Sequence, residues 1–561
     1  MKKTFIILTV IIIASSAWAI PAKPGIVRLM ATDGSTIEAE LVGDEFHHCF
    51  RSLDGYVVKQ AEENCYLKTN EKFDAQAVAE KRQMAKARRE IARMPKGTDV
   101  VTANFASKGL VILVGFSDKA FTHTNEAFTN MLNQQGYNFE GATGSAKEYF
   151  NASSYGKYNP TFDVYGPYTL DNTMSYYGNN DDYGNDMKPD QMVVDAVAKL
   201  VAAEGENVLQ DYDCDNDGNV DNVFVFYAGY AESSGASPNT IWPHRWIIYP
   251  NNVTGTVTYG GKTIYDYACS SELADTYGTK LSGIGAFCHE FSHVLGLPDL
   301  YDTNGNYAWA TPYDWDLMDN GCYNNNQKTP PAYSAQERFY LGWLTPTVLT
   351  DHGTYTLDNL NTGNGEAYMI TSSGQSNLNP SDPSPKSYYL LENRQKSGWD
   401  AYLPGHGMLV WKINFNSFKW ESNTVNNNRS GLGCTIVAAG GDIKDYYGYY
   451  VSADSDPFPG TKRVRNFTAY TSYALSDITE SNGQITFTLG QSTAVENISC
   501  EEGPVILREK VIGGKVRIER LKEGMTIMLI DAMGRVIRTV NADSDVMEFD
   551  APDNIYFIKI L

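Results

Sequence analysis

Histidine is scarce in this chain, eight in 561 residues, yet two stand four positions apart in Cys288-His289-Glu290-Phe291-Ser292-His293-Val294-Leu295-Gly296-Leu297-Pro298-Asp299. On an α-helix that spacing projects both imidazoles from one face, where a single ion can take both. Glu290 stands beside them, placed to accept a proton from metal-bound water. The local fold is constrained as well. A helix must run through His293 and then stop, and Gly296 can break it and turn the chain back. Asp299 then returns towards the metal as a third ligand, a role an aspartate oxygen fills at roughly 2.0–2.2 Å from zinc. The pattern H-E-x-x-H-x-x-G-x-x-D therefore predicts the catalytic zinc site of a metallopeptidase.

The rest of the chain indicates where such chemistry would operate. Residues 1–19 place Lys2 and Lys3 before an apolar run and end on Ala17-Trp18-Ala19, the pattern of a secretory signal. The mature chain is expected to begin near Ile20 and to be secreted or attached to the cell surface. No later segment approaches the roughly 20 consecutive apolar residues of a membrane-spanning helix. A net charge of −22 argues against nucleic acid or an anionic membrane as partner and suits a cation-binding exported protein. Eight cysteines are too widely spaced for a small disulfide scaffold, and Cys49 with Cys65 is the expected local pair.

A chain of 561 residues exceeds one hydrophobic core. Residues 20–100 alternate strand-like runs at 25–30 and 56–59 with turns, then form a basic helix-like stretch over 75–94 that stops at Pro95-Lys96-Gly97. An Arg/Lys-rich end to a separate N-terminal region suggests a removable propeptide. The apolar run 109–115 reads as a buried strand opening a catalytic domain over 101–345, with helices at 126–134 and 191–203 and a strand at 222–227. After Trp343 the pattern turns to short alternating strands, at 388–392, 408–412 and 484–489, which predicts a β-sandwich over 346–492. A small β domain over 495–561 follows, with strands at 515–518, 525–530, 535–540 and 555–560.

The extended motif resembles that of the metzincins, with Asp299 where a third histidine more often stands. Such enzymes carry a methionine turn beneath the metal, and Trp315-Asp316-Leu317-Met318-Asp319-Asn320-Gly321 provides one, with Met318 as an apolar floor. Residues 287–302 and this turn, together with Ile241-Trp242-Pro243-His244-Arg245-Trp246, Tyr389-Leu390-Leu391-Glu392-Asn393-Arg394 and residues 403–411, resemble the immune inhibitor A family of secreted bacterial metallopeptidases. That resemblance implies an α+β metzincin-like catalytic domain followed by all-β sandwich-type domains, zinc on His289, His293 and Asp299, Glu290 as general base and acid, and protein or peptide substrates. Glu337, on a helix-like stretch over 334–341, is the competing third ligand, as in thermolysin-like enzymes. His244 and His406 are expected to be structural.

A second cation site is marked by Asp213-Cys214-Asp215-Asn216-Asp217-Gly218-Asn219-Val220-Asp221, whose carboxylates alternate before a glycine as in the first part of an EF-hand loop. Calcium is its expected ion, bound through Asp213, Asp215, Asp217, Asn219 and Asp221. Phe224 stands where a bidentate Glu would complete such a loop, so a last ligand must come from elsewhere, Asp211 being one candidate. In the N-terminal region, His48-Cys49 could offer a thiolate to zinc as cysteine-switch propeptides do. The last unit resembles C-terminal sorting domains of type IX secretion substrates, around residues 531–537 and 555–561, which would imply an outer-surface secretion machinery as partner. The alternative function is a non-catalytic surface adhesin or protein- or glycan-binding module. The intact His289, Glu290 and His293 speak against it, because a binding module needs no general base beside two metal ligands.

Overall fold

The computed structural model describes residues 18–62, 65–91, 107–181, 184–248, 256–304, 311–428, 431–445 and 450–490, and in the last segment 505–509, 515–519, 521, 525–531, 536–544, 546–550 and 555–560. Two compact units divide the chain, one of residues 1–465 with 477–487, the other of 466–476 with 488–561.

The first unit opens with β1 (Trp18–Ala19) and an antiparallel sheet of β2 (Ile26–Met30), β3 (Thr36–Asp44), β4 (His47–Ser52), β5 (Tyr56–Glu62) and β6 (Cys65–Lys72), followed by α1 (Ala75–Ile91). The sheet keeps sequence order, so Cys49 on β4 and Cys65 on β6 are separated by β5. Two strand spacings of about 4.8 Å put them beyond disulfide reach. Both are free thiols, and the expected pair does not form. One face of the sheet buries Leu29, Leu41, Phe50, Val58 and Tyr66 against Trp242 from the region that follows.

That region contains β7 (Lys108–Gly115), α2 (Asn125–Asn133), α3 (Ala146–Ser153), β8 (Thr161–Thr169), α4 (Met174–Gly178), α5 (Pro189–Glu204), β9 (Val223–Tyr230), β10 (His244–Ile247), β11 (Val257–Tyr259), β12 (Lys262–Ile264), β13 (Asp266–Leu273), α6 (Gly285–Val294) and α7 (Ala335–Tyr340). Its six-stranded sheet has the order β1-β10-β13-β9-β7-β8. Pairings among β13, β9, β7 and β8 are parallel, whereas β10 runs antiparallel to β13. The continuous apolar run of β7 follows from burial on both faces. Val111 and Leu113 face the cluster holding Phe287 and Phe291 of α6, while Leu110, Ile112 and Val114 face that of Met192, Val193 and Ala196 on α5.

Further along lie β14 (Thr347–Val348), β15 (Gly353–Leu357), β16 (Tyr368–Ile370), β17 (Ser387–Arg394), β18 (Gly407–Asn414), α8 (Ser417–Glu421) and β19 (Cys434–Ile436). Five of these strands form a sheet of order β14-β16-β17-β18-β19. Its Leu390, Leu409, Trp411 and Ile413 belong to the same apolar cluster as Phe287 and Phe291, so this β region shares a core with α6. The second unit includes two three-stranded sheets, one of Val505–Glu509, Lys515–Glu519 and Val546–Asp550, the other of Val536–Asn541, Thr526–Asp531 and Ile555–Ile560. The chain is thus a mixed α/β protein of many sheets. Most of the signal-like segment and the end of the basic stretch, residues 1–17 and 92–100, lie outside the described residues.

Candidate metal centre

Helix α6 is buried along its whole length. Phe287 and Phe291 anchor one side of it against Phe162 at ring-centroid distances of 4.9 and 5.3 Å, edge to face. Each such burial is worth roughly 1.5–3 kcal/mol and fixes the rotation of the helix. His289 and His293 consequently point away from the aromatic side, one turn apart. After α6, Gly296 takes a φ of +94°, which a side chain would disfavour, and the chain reverses.

Asp299 then comes back to the histidines. Its Oδ1 lies 3.1 Å from His289 Nε2 and 3.3 Å from His293 Nε2, and the two Nε2 atoms are 3.1 Å apart. Both Nδ1 atoms are engaged with backbone carbonyls, His289 with Leu317 O and His293 with Leu297 O, each at 2.8 Å. Nδ1–H donation to those carbonyls leaves both Nε2 lone pairs facing each other and a carboxylate oxygen. Three acceptors this close repel unless a cation lies among them. Their separations match the ~3.3 Å edge of a tetrahedron with metal bonds of about 2.0–2.1 Å, so the donor set fits zinc. Burial is the largest influence on His293 and pushes its imidazole down to about 4, keeping it in the neutral form a metal binds. Burial also pushes Asp299 upward, but His293 and His289 outweigh it and hold the carboxylate ionised below the usual range.

Glu290 is fully buried beside this cluster. Its Oε1 accepts the Ile20 N–H at 3.0 Å, and its Oε2 has no partner among the described residues. Burial, then Asp299 and Glu45, raises its carboxyl well above the ordinary range, with the Ile20 N–H pulling the other way. The strand that delivers Ile20 is β1, paired antiparallel with the edge strand β10 through Trp18 with Arg245 and Ala19 with His244. Trp242 Nε1 donates to Ile20 O at 2.9 Å and Tyr323 Oη to Pro21 O at 2.6 Å. Elsewhere in the N-terminal region, Arg82 of α1 pairs with the buried Asp44 and donates to Asp302 O. Sequence reading missed Ile20 as a contact of the site, although the signal-like pattern ends on the residue before it.

The candidate methionine turn, residues 315–321, meets the cluster at Leu317. Leu317 O receives His289, Met318 O receives the Leu300 N–H at 2.8 Å, and Met318 N–H donates to Asp316 Oδ1 at 2.8 Å. Met318 itself is buried. Glu337, the competing third ligand, does not reach the histidines. It caps its own helix α7 through the Ser334 N–H and faces Asp316. Burial pushes Asp316 up to about 6, and burial and Asp316 raise Glu337, so the carboxyl pair holds a proton. His244 is buried between Trp242 O and Tyr267 Oη, and His406 pairs with Glu480.

In the acidic loop, carboxylate oxygens of Asp213, Asp215 and Asp221 come within 4.8 Å of one another. The Asp217 carboxylate does not join that trio. Asp217 Oδ1 accepts the Asn219 N–H, and the Asn219 side chain donates to Asp217 Oδ2. Lys262 pairs with Asp213, which also accepts the N–H groups of Asp217 and Gly218. Asp211 is drawn to Lys108 at 2.9 Å. Cys49 belongs to β4 and lines a cavity with Lys59, Glu71 and Glu232, and burial pushes its thiol up to about 11, the reverse of what a thiolate ligand requires. The segment that touches Glu290 begins at Ile20.

Residues 100–343 match the family of the immune inhibitor A peptidase M6 catalytic domain. The chain is 28% identical over 220 residues to "Immune inhibitor A" of Bacillus thuringiensis subsp. alesti, covering 34% of this chain and 31% of that protein. It is 26% identical over 253 residues to "Pre-pro-metalloprotease PrtV" of Vibrio cholerae serotype O1 (strain M66-2), covering 40% of this chain and 25% of the relative. The chain thus spans less than a third of the length of either relative. Together these similarities support a metallopeptidase, and the matched stretch contains every residue of the His-His-Asp cluster.

Proposed function

We propose that this chain is a secreted zinc endopeptidase that cleaves protein substrates and is held latent by its own N-terminal region. The observation that carries this reading is the convergence of His289, His293 and Asp299, with Glu290 beside them, inside a stretch that matches a peptidase catalytic domain. His289 and His293 offer their Nε2 atoms, and Asp299 offers Oδ1. When bound, zinc supplies Lewis-acid chemistry, acidifying a water and polarising the scissile carbonyl. Glu290 takes the water's proton on its unpartnered Oε2 and returns it to the leaving amine, a cycle favoured by a carboxyl whose affinity for protons burial has raised. Met318 floors the cluster with an apolar side chain and supports the turn that orients His289.

An extended substrate would add to the free edge of β10, the common way a peptide joins a sheet. β1 occupies that edge, and the Ile20 N–H engages the general base. Residues 20–100 act as a propeptide whose removal frees the Glu290 carboxylate, while the strand edge is freed with Trp18–Ala19, the end of the signal-like segment. Calcium at Asp213, Asp215 and Asp221 requires Lys262 to leave Asp213 and would serve only to stiffen the loop. Residues 495–561 are assigned the sorting role, with residues 346–492 as the accessory β domain. The test is casein cleavage by chain freed of its N-terminal region. Activity that chelation abolishes, zinc restores and Glu290→Ala never shows is expected, whereas cleavage unaffected by Glu290→Ala would sink the reading.

A further inference from the structure

We propose that Asn423, eighty residues beyond the end of the matched catalytic stretch, is the positioning residue that makes Asp299 a metal ligand. The inference rests on reading His289, His293 and Asp299 as the zinc site. Asn423 follows α8 and is fully buried, which is unusual for an amide side chain without a task. Its Oδ1 accepts the Asp299 N–H at 2.6 Å, and its Nδ2 donates to Asp299 Oδ2 at 2.5 Å. The two oxygens of Asp299 are thereby divided. Oδ2 is held by the amide, and Oδ1 is left facing both imidazoles.

Two irregular stretches satisfy each other here. Residues 299–303 have no ladder of their own, and a buried backbone without one needs side-chain partners. Asn426 Nδ2 donates to Leu300 O at 2.6 Å, Asn427 Oδ1 accepts the Thr303 N–H at 2.9 Å, and Asn423 O accepts Thr303 Oγ1 at 2.9 Å. Asn426 holds main-chain atoms and Asn427 holds Thr303. Of these three asparagines, Asn423 is the one that donates to the ligand's carboxylate. Its backbone φ of +52° is one asparagine adopts readily, so the residue serves both the loop's geometry and the contact. An amide is also the suitable group chemically. A lysine would draw charge from the carboxylate, and a second carboxylate would repel it or compete for the ion.

The metal centre is therefore completed by a segment outside the stretch that matches the peptidase family. Zinc affinity measured by chelator competition on the full chain tests this, comparing wild type with Asn423→Asp, Asn423→Gly, Asn427→Ala and His289→Ala. Asn423→Asp keeps size and tolerates the backbone conformation, and Asn423→Gly keeps the conformation while deleting the amide, so at least one should fold. Both are expected to weaken zinc by about 10- to 100-fold and to shift the visible spectrum of the cobalt-substituted protein, with Asn427→Ala within about threefold of wild type. Unchanged affinity and spectrum in the folded Asn423 variants would overturn the inference, as would an equal loss in Asn427→Ala, which would mark mere loop docking. Failure of the underlying site reads differently: wild type would then bind no stoichiometric zinc, or His289→Ala would bind it equally well.

Discussion

Glu290 and Asp299 are both buried carboxyl groups of one small cluster, yet their surroundings push them in opposite directions. Burial and then neighbouring carboxylates raise Glu290, whereas the upward push of burial on Asp299 is outweighed by the two histidines. Divergent environments of this kind separate a proton carrier from a ligand. Glu290→Gln should therefore lower peptide cleavage by about 10²- to 10⁴-fold while zinc content, read by metal analysis, stays at wild-type level. Asp299→Ala should lose zinc in the same analysis, and Glu337→Ala should keep it. Motif spacing already favours Asp299 over Glu337 as the third ligand. What separates them is that the reversal at Gly296 returns Asp299 to the histidines, whereas the capping box of α7 turns Glu337 onto Ser334 and Asp316.

At the scale of elements, α6 and the methionine turn form one device. The helix is legible in sequence because its spacing is local, whereas the turn's supports are not. Phe291 packs against Phe150, Phe162 and Phe287, drawn from three different elements, and Phe291→Ala should cost about 3–5 kcal/mol in chemical denaturation. Beneath the turn, the Asp316–Glu337 pair keeps in the folded chain a proton that the unfolded chain releases near pH ~4. Its contribution to stability is complete below that pH and falls as pH rises, through about 6, where Asp316 titrates in the folded chain, and on through the raised range of Glu337. Glu337→Gln keeps the packing and removes one titrating site. It should flatten the loss of metal-free stability across that window by up to about 1.4 kcal/mol per pH unit, measured by urea unfolding at stepped pH. A slope equal to wild type would mean the pair holds no proton.

At the scale of the first compact unit, the N-terminal region is fastened to the site from several directions. β1 lengthens the catalytic sheet, Lys23 pairs with Asp275, His48 with Glu232, and Arg82 with Asp44 beside Asp302. Removing one partner of a buried ion pair costs about 3–5 kcal/mol, because the other charge is left uncompensated. Arg82→Leu should thus raise peptide cleavage by the unprocessed chain several-fold, while Cys49→Ala leaves it unchanged, both read with a quenched peptide substrate. Sequence alone marked the cluster: two imidazoles and a glutamate on one helix, a glycine to turn the chain and an aspartate at the returning position, since the spacing of four residues is set by helix geometry. Strand runs such as β7 and β18 were equally legible, because burial writes a continuous apolar pattern. Only the tertiary structure decided that Ile20, 270 residues away in sequence, engages Glu290, that Cys49 and Cys65 stand two strands apart, and that Asn423 grips Asp299. Each of those contacts depends on which distant segments the shared core brings together, and no local pattern of residues records that choice.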